Sequence, residues 1–335
     1  MYKIFKYSTL SIIVLLMVNI IPHLIVRIFA ESNAVKVFGS SGSLSDLNDT
    51  IRIATYNVAH GRGGQYGAKN WNGESKESRK SRLLSIANFL KEQDVDVVIL
   101  NEVDFDSNWS YNQNQAAFIA NQSGFPYWVE QRNYDFYHPL FRLQFGNAVL
   151  SKYPINDARL LKFWPLSKLE KVVFGNHDGA EVDVLLGNGL TISVVALHLE
   201  VRDRASRLKT YEVLEGLITN KSIQTILAGD LNSEKSTDRA HGAAVDQSST
   251  IDKNSTIDKN SIIDKNSIID KLSRIDGVDH YPNALRKSDN YTFPSERPSR
   301  TLDWILAPPN TKILSSQVHN VAWSDHFPLI VDIEI

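Results

Sequence analysis

The sequence predicts an α/β fold, and three observations carry that reading. Segments with strand character alternate with segments of helical period from Ile51 to the C-terminus. Several of the apolar strands end on Asn, Glu, His or Asp, the placement that a sheet scaffold uses for chemistry. Cysteine is absent, so disulfides, thiolate catalysis and thiolate-bound zinc are excluded, and the core must rest on packing alone. With 335 residues, 42% of them apolar, the chain can bury a sizeable core, and one large domain is expected. Alternation alone leaves the architecture open between a doubly wound sheet and a layered sandwich.

The amino terminus, residues 1–30, reads as a targeting segment. Lys3 and Lys6 precede an apolar run from Leu10 to Ile21, and a second short run ends near Ala30. Pro22, His23 and Arg27 interrupt the run short of the ~20 clean residues that a spanning helix needs. A signal peptide cleaved after Ala30 and a retained membrane anchor both fit, and either implies work outside the cytoplasm, secreted, periplasmic or anchored. Residues 31–50, rich in Ser, Gly, Asn and Asp, read as a flexible linker.

The catalytic-sized domain then covers residues 51–335. A strand over Ile51–Asn57 leads into a Gly-rich loop, Gly61–Gly73, and an amphipathic helix near Glu77–Gln93. An apolar strand follows over Val95–Asn101, then a helix near Gln115–Gln122, a strand over Tyr127–Gln131 and another ending in Ser151. Leu190–Leu197 and Thr225–Ala228 are apolar strands flanking a helix near Ala205–Thr219, and three short strands near Thr301–Leu306, Thr311–Gln317 and Pro328–Ile335 close the chain. Between Ser249 and Asp276 a six-residue unit repeats as STIDKN, STIDKN, SIIDKN and SIIDKL, then SRID. Its polar majority reads as an expanded, disordered surface insertion that leaves the fold intact.

The chemistry gathers at strand ends. Asn57 ends IRIATYN, Glu102 ends DVVILNE, His198 ends ISVVALH, and Asp230 with Asn232 follow TILAG. Asp303 sits inside the strand TLDWIL, and Asp325 and His326 close the loop WSDH. Singly, Asn57 reads as a turn former, Asp230-Leu231-Asn232 as an Asx turn and His198 as a core histidine. Together they form an inventory of metal ligands and proton carriers. Asp303 in an apolar strand requires a cation or a histidine as partner. Arg142, before FGNAVLSKYPI, and Arg207, at a helix start, are candidate phosphate contacts, because a guanidinium matches phosphate oxygens in pairs. With no thiolate available, a metal must be held by carboxylate, amide or imidazole, and hard oxygen donors favour Mg2+ or Mn2+.

The ordered blocks TYN, NEVD, GNAVLSKYPI, LHL, GDLN, LDWIL and SDH resemble the endonuclease/exonuclease/phosphatase superfamily, with deoxyribonucleases and neutral sphingomyelinases among its branches. The resemblance implies a four-layer α/β sandwich, two mostly antiparallel mixed sheets face to face with helices outside. It implies metal binding by Glu102, Asn57 and Asp325, and catalytic parts for His198, Asp230, Asn232, Asp303 and His326. Asp303 would orient His326, and Asn57 and Asn147 would contact substrate, beside the guanidinium candidates Arg142 and Arg207.

The expected activity is metal-dependent hydrolysis of a phosphodiester, either nucleic acid or a phospholipid head group, by a monomer that contacts the membrane if its N-terminal segment is retained. A net charge of −2 gives no global field of the kind that holds proteins on polyanions. Two other readings remain open: a phosphomonoesterase, and a non-catalytic module that binds a phosphorylated ligand.

Overall fold

The computed structural model describes residues 9–18, 21, 35–39, 50–138, 141–163, 175, 177–201, 203–219, 224–235, 267–272, 291–308 and 311–335. Most of the repeat, residues 249–266 and 273–276, lies outside them, as do residues 1–8, 19–20 and 22–34 of the N-terminal part. A helix, α1, spans residues 9–18. Among the described residues no helix is long and apolar enough to cross a membrane.

Two sheets form the centre. The larger contains β1 (Val35–Gly39), β2 (Thr50–Asn57), β3 (Val97–Asp104), β4 (Tyr127–His138), β5 (Phe141–Ser151), β11 (Ile313–Val318) and β12 (Leu329–Glu334), in the order β1-β4-β5-β3-β2-β12-β11. The smaller has the order β10-β9-β8-β7-β6, from β6 (Ile155–Leu161), β7 (Gly179–Leu185), β8 (Thr191–His198), β9 (Thr225–Asp230) and β10 (Asp303–Leu306). Among the described strands a single neighbouring pair in each sheet runs parallel, β2 with β3 and β8 with β9, and the rest are antiparallel.

Alternation decides which side chains go where. In β2, Ile51 and Ile53 pack between the sheets with Val97, Ile99, Val182, Val194 and Ala228. Ala54 and Tyr56, offset by one residue, face the opposite way, toward the helices α2 (Lys76–Glu92) and α3 (Gln115–Ser123), with Leu83, Ile86, Leu90 and Ile119. Burial on both faces explains why these strands read as unbroken apolar runs. α4 (Arg204–Thr219) and the short α5 (Ile268–Leu272) add Leu214, Ile268, Ile269 and Leu272 to the core of the smaller sheet. The layers are therefore helix, sheet, sheet, helix, the sandwich that the resemblance implies.

Two expectations are corrected. The linker over 31–50 contains β1, which pairs antiparallel with β4 and stacks Phe38 on Trp128 at 5.1 Å. Five residues of alternation in a polar stretch suffice for an edge strand, which needs only one partner. The repeat is also not uniformly a surface insertion. Its SIIDKL unit forms α5, because Ile268, Ile269 and Leu272 fall on one helical face. Ser267 caps this turn: its hydroxyl accepts from Asp270 N (3.1 Å), while Asp270 Oδ2 accepts from Ser267 N (3.2 Å).

Candidate active site

One end of the sandwich collects the polar strand ends because the register aligns them. Across the smaller sheet His198 is paired with Asp230, and Asp230 with Asp303. In the larger sheet Asn57 is paired with Asn101, one residue before Glu102. The loop entering β12 brings Asp325 and His326 over the same end, and Ser324 anchors it by donating to Asn57 O at 2.6 Å.

Asn57 Nδ2 reaches Asp230 Oδ2 at 3.1 Å and Glu102 Oε1 at 3.3 Å, bridging the two sheets. His326 Nδ1 lies 2.7 Å from Asp303 Oδ2, and its Nε2 lies 3.7 Å from Asp230 Oδ2. The buried Asp303 thus has the histidine partner that its place in an apolar strand requires. His198 Nε2 sits 3.8 Å from Asp230 Oδ2 and 4.0 Å from Glu102 Oε1. Asn232, with left-handed φ of 46°, donates its backbone N–H to Asp230 Oδ1 and its amide to Leu199 O, both at 2.9 Å. Its backbone N–H thus orients Asp230, while one amide hydrogen is held by Leu199 O.

The electrostatics follow from this crowding. Burial disfavours charge on His326, but the carboxylates of Asp303 and Asp230 outweigh it and raise the imidazole to about 10. Burial also pushes Glu102 up, yet His60, His198, Arg62 and His326 prevail and hold it at about 2. For His198 burial wins over Asp230 and Glu102, and its pKa falls.

The donor set fits a divalent cation. Glu102, Asp230 and Asp303 gather around the two histidines, Asp325 is close enough to feel the charges of Glu102 and Asp230, and the buried Asp303 Oδ1 has no hydrogen-bond partner. Asp230, Asp303 and His326 offer atoms within 4.8 Å of one another. A short Asp303 bond already occupies His326 Nδ1, so that group reads better as an oriented imidazole between carboxylates. Glu102, partly open to a cavity, is the better metal ligand. The expected co-ligands are otherwise engaged in this arrangement. Asn57 Oδ1 accepts from Ala59 N at 3.0 Å, and Asp325 Oδ2 accepts from Arg62 at 2.9 Å.

The expected substrate contacts come out differently. Arg142 binds Asp106 Oδ2 at 3.1 Å and does not line the cavity at Glu102. Arg207 is buried and donates to Glu200 O (2.6 Å) and Val201 O (3.0 Å), because the loop after β8 needs its carbonyls satisfied. Asn147 is wholly buried, accepting from Asn101 and donating to Gln131.

Residues absent from the sequence-based set complete the site. Asn101 accepts from Asp230 N at 2.9 Å and donates to Leu197 O at 2.9 Å, so it carries the second link between the sheets. His60, at φ 53°, sets its Nδ1 3.0 Å from Asp104 and its Nε2 3.5 Å from Glu102. Asp104 also accepts from Trp109 Nε1 at 2.9 Å. On the other side His177 Nε2 meets Glu200 at 2.8 Å. The one signal for His60 in the sequence is a histidine between a strand end and a glycine, in AHG.

Among curated proteins the sequence finds no match. Solved structures share the fold at low identity. An endonuclease/exonuclease/phosphatase protein from Beutenbergia cavernae is 18% identical, with TM-score 0.60, over 85% of this chain and 72% of that one. The human Nocturnin catalytic domain with a bound sulfate anion is 14% identical, with TM-score 0.55, over 87% and 96%. The mannosyl-6-phosphatase Bt3783 of Bacteroides thetaiotaomicron is 15% identical, with TM-score 0.52, over 85% and 100%. The profile of the endonuclease/exonuclease/phosphatase family matches residues 54–326, a span that begins in β2 and ends on the histidine facing Asp303. This chain belongs to that family of phosphoester hydrolases, whose enzymes use divalent metals.

Proposed function

We propose that the chain is a phosphodiesterase dependent on Mg2+ or Mn2+ that works outside the cytoplasm. The observation that carries the reading is the convergence of His198, Asp230 and the His326–Asp303 pair beside Glu102. Hydrolysis of a diester needs neutralised phosphoryl oxygens, an oriented water in line with the ester oxygen, and a proton for the departing alcohol. A divalent ion, when bound, supplies charge neutralisation at the phosphoryl group. Glu102 would hold it, and Asn57 and Asp325 would join as donors on yielding part of their contacts with Ala59 N and Arg62.

The other roles fall to this chain's own side chains. Asp303 fixes the His326 ring so that Nε2 is left to donate to a non-bridging oxygen. Asp230, itself oriented by Asn232 N and Asn101, aligns the water. His198, across Asp230 from His326, is placed to serve the leaving oxygen. As water attacks, the P–O bond to the alcohol breaks, and the alcohol departs with a proton. The N-terminal pattern of Lys3, Lys6 and the Leu10–Ile21 run supports an extracytoplasmic setting, secreted or anchored.

The test is a panel of bis(p-nitrophenyl) phosphate, nucleic acid, sphingomyelin and a phosphomonoester, with Mg2+ or Mn2+ and with EDTA. Metal-dependent turnover of a diester is expected. Turnover of the monoester alone would favour a phosphatase, and folded protein inert on every ester would leave only a binding module.

A further inference from the structure

A cavity of about 140 Å³ opens beside Glu102 and His198, lined also by His60, Asn133, Phe145, Gly146 and His177. It arises from two β-bulges that meet at one glycine. The β3–β5 register shifts between Leu100 and Val103, which inserts the extra residue at Glu102, at φ 52°. On the other side of β5 the β4 register shifts between Arg132 and Tyr134, which makes Asn133 the extra residue. Both shifts close on Gly146, where an added Cβ would lie 2.0 Å from Gln131 O, so no side chain fills the floor.

Asn133 is held by a buried amide relay. Asn101 donates to Asn147 (2.8 Å), Asn147 to Gln131 (2.6 Å), and Gln131 to Asn133 Oδ1 (3.0 Å). Asp178 N also donates to that oxygen at 3.0 Å. The amide oxygen is therefore occupied, its orientation is set by a backbone N–H, and Nδ2 remains as a donor for a ligand. The same relay starts at Asp230 N, so this donor is positioned relative to the reacting end of the site. Burying a chain of amides confers no stability beyond an apolar core, but it fixes geometry.

The cavity selects by charge and size. His60 is backed by Asp104 and His177 by Glu200, and among the described residues no lysine or arginine lines the space. A second phosphate or carboxylate would find no lysine or arginine among these lining residues to neutralise it. The ring of Phe145 gives one apolar wall, and Asn133 and the imidazoles give hydrogen-bonding groups. At about 140 Å³ the space falls below the ~300–1,000 Å³ of sites for drug-sized ligands, which suits a single small ring better than a nucleoside.

We infer that this cavity is the subsite for the alcohol half of the ester, and that the alcohol is a neutral polyol or sugar. The inference rests on the phosphodiesterase reading for its place in the reaction, but the binding it asserts stands apart from turnover.

The experiment compares glycerophosphoinositol, thymidylyl-thymidine and bis(p-nitrophenyl) phosphate as substrates of the full chain with Mn2+, alongside Asn133→Asp. That variant keeps the acceptor oxygen facing Gln131 and Asp178 and removes the donor; Asn133→Ala is the second variant, and thermal unfolding checks the fold of both. At least tenfold higher kcat/KM for the polyol ester than for the dinucleotide is expected. Both variants should cut the polyol-to-nitrophenyl ratio at least tenfold. Preference for the dinucleotide, or an equal loss on every substrate, would overturn the subsite. If folded wild type hydrolyses no ester, the phosphodiesterase reading fails, and NMR titration with free myo-inositol and glucose then decides. Millimolar binding that Asn133→Asp abolishes supports the subsite, and absence of binding to wild type overturns it.

Discussion

At the scale of single residues the two histidines around Asp230 differ in what holds them. His198 is near its carboxylates at 3.8 and 4.0 Å, whereas His326 is tied to the wholly buried Asp303 at 2.7 Å. Both truncations to Ala are expected to reduce kcat on a diester by ~10²–10⁴-fold, the range of general acid–base assistance. Their stabilities should part. His326→Ala leaves a buried carboxylate without its partner, a loss of about 3–5 kcal/mol in urea unfolding, while His198→Ala should lose far less. Equal stability of the two variants would contradict the pairing. Glu102→Gln is expected to abolish both turnover and the rise in melting temperature that Mn2+ gives the wild type, since a ligand bound only by the folded state stabilises it. A full Mn2+ shift in that variant would place the metal elsewhere.

Residues at strand ends could be read from sequence because an apolar run stopping at Asp or His announces itself. His60, Asn101 and Asn133 could not. Their roles depend on a left-handed turn, on a link between sheets and on a bulge, none of which has a residue code of its own. Arg207 shows the opposite difficulty. A guanidinium suits loop carbonyls as well as it suits phosphate, and Arg207 meets Glu200 O and Val201 O.

At the scale of elements, the final repeat unit behaves as part of the core. Leu272→Ala in α5 should cost about 2–5 kcal/mol, as for other buried leucines. Removal of residues 249–266, upstream of the Ser267 cap, should leave the melting temperature within a degree or two. A matching loss on that deletion would show that more of the repeat is structural. Composition hid this division because every unit carries Ser, Asp and Lys at the same places, and only SIIDKL pairs its adjacent isoleucines with a following leucine.

The β2–β12 pairing carries a pH signature. Asp332 accepts from Arg52 Nε (2.7 Å) and Nη2 (3.1 Å), and that hydrogen bonding holds its carboxyl below the usual range. A depressed folded-state pKa stabilises above the unfolded value of ~3.9 and is lost as pH falls through the folded value. With Arg52 partly exposed, the contribution should stay under about 1 kcal/mol. Asp332→Asn should therefore be less stable than wild type at pH 7, and the difference should shrink as pH falls below ~3.9 and vanish once Asp332 is protonated in the fold. A gap that persists in acid would mean that the pair acts through packing.

For the molecule as a whole, the order of strands explains why the architecture needed the family resemblance. Alternating elements describe β2 to β3 and β8 to β9 equally well as units of a single parallel sheet. What separates them into facing sheets is the long β4–β5 hairpin beside β3 and the return of β12 beside β2, the second a contact between residues far apart in the chain.

The amides of Asn57 and Asn101 act as rivets between the facing sheets. Slippage of one sheet on the other by a single residue would strip Asp230 of both before any helix came loose. Loss of turnover and loss of tertiary structure should then be one event, with enzymatic and tryptophan-fluorescence midpoints coinciding in urea. A urea concentration at which fluorescence is native and turnover is gone would show that the two halves can shear.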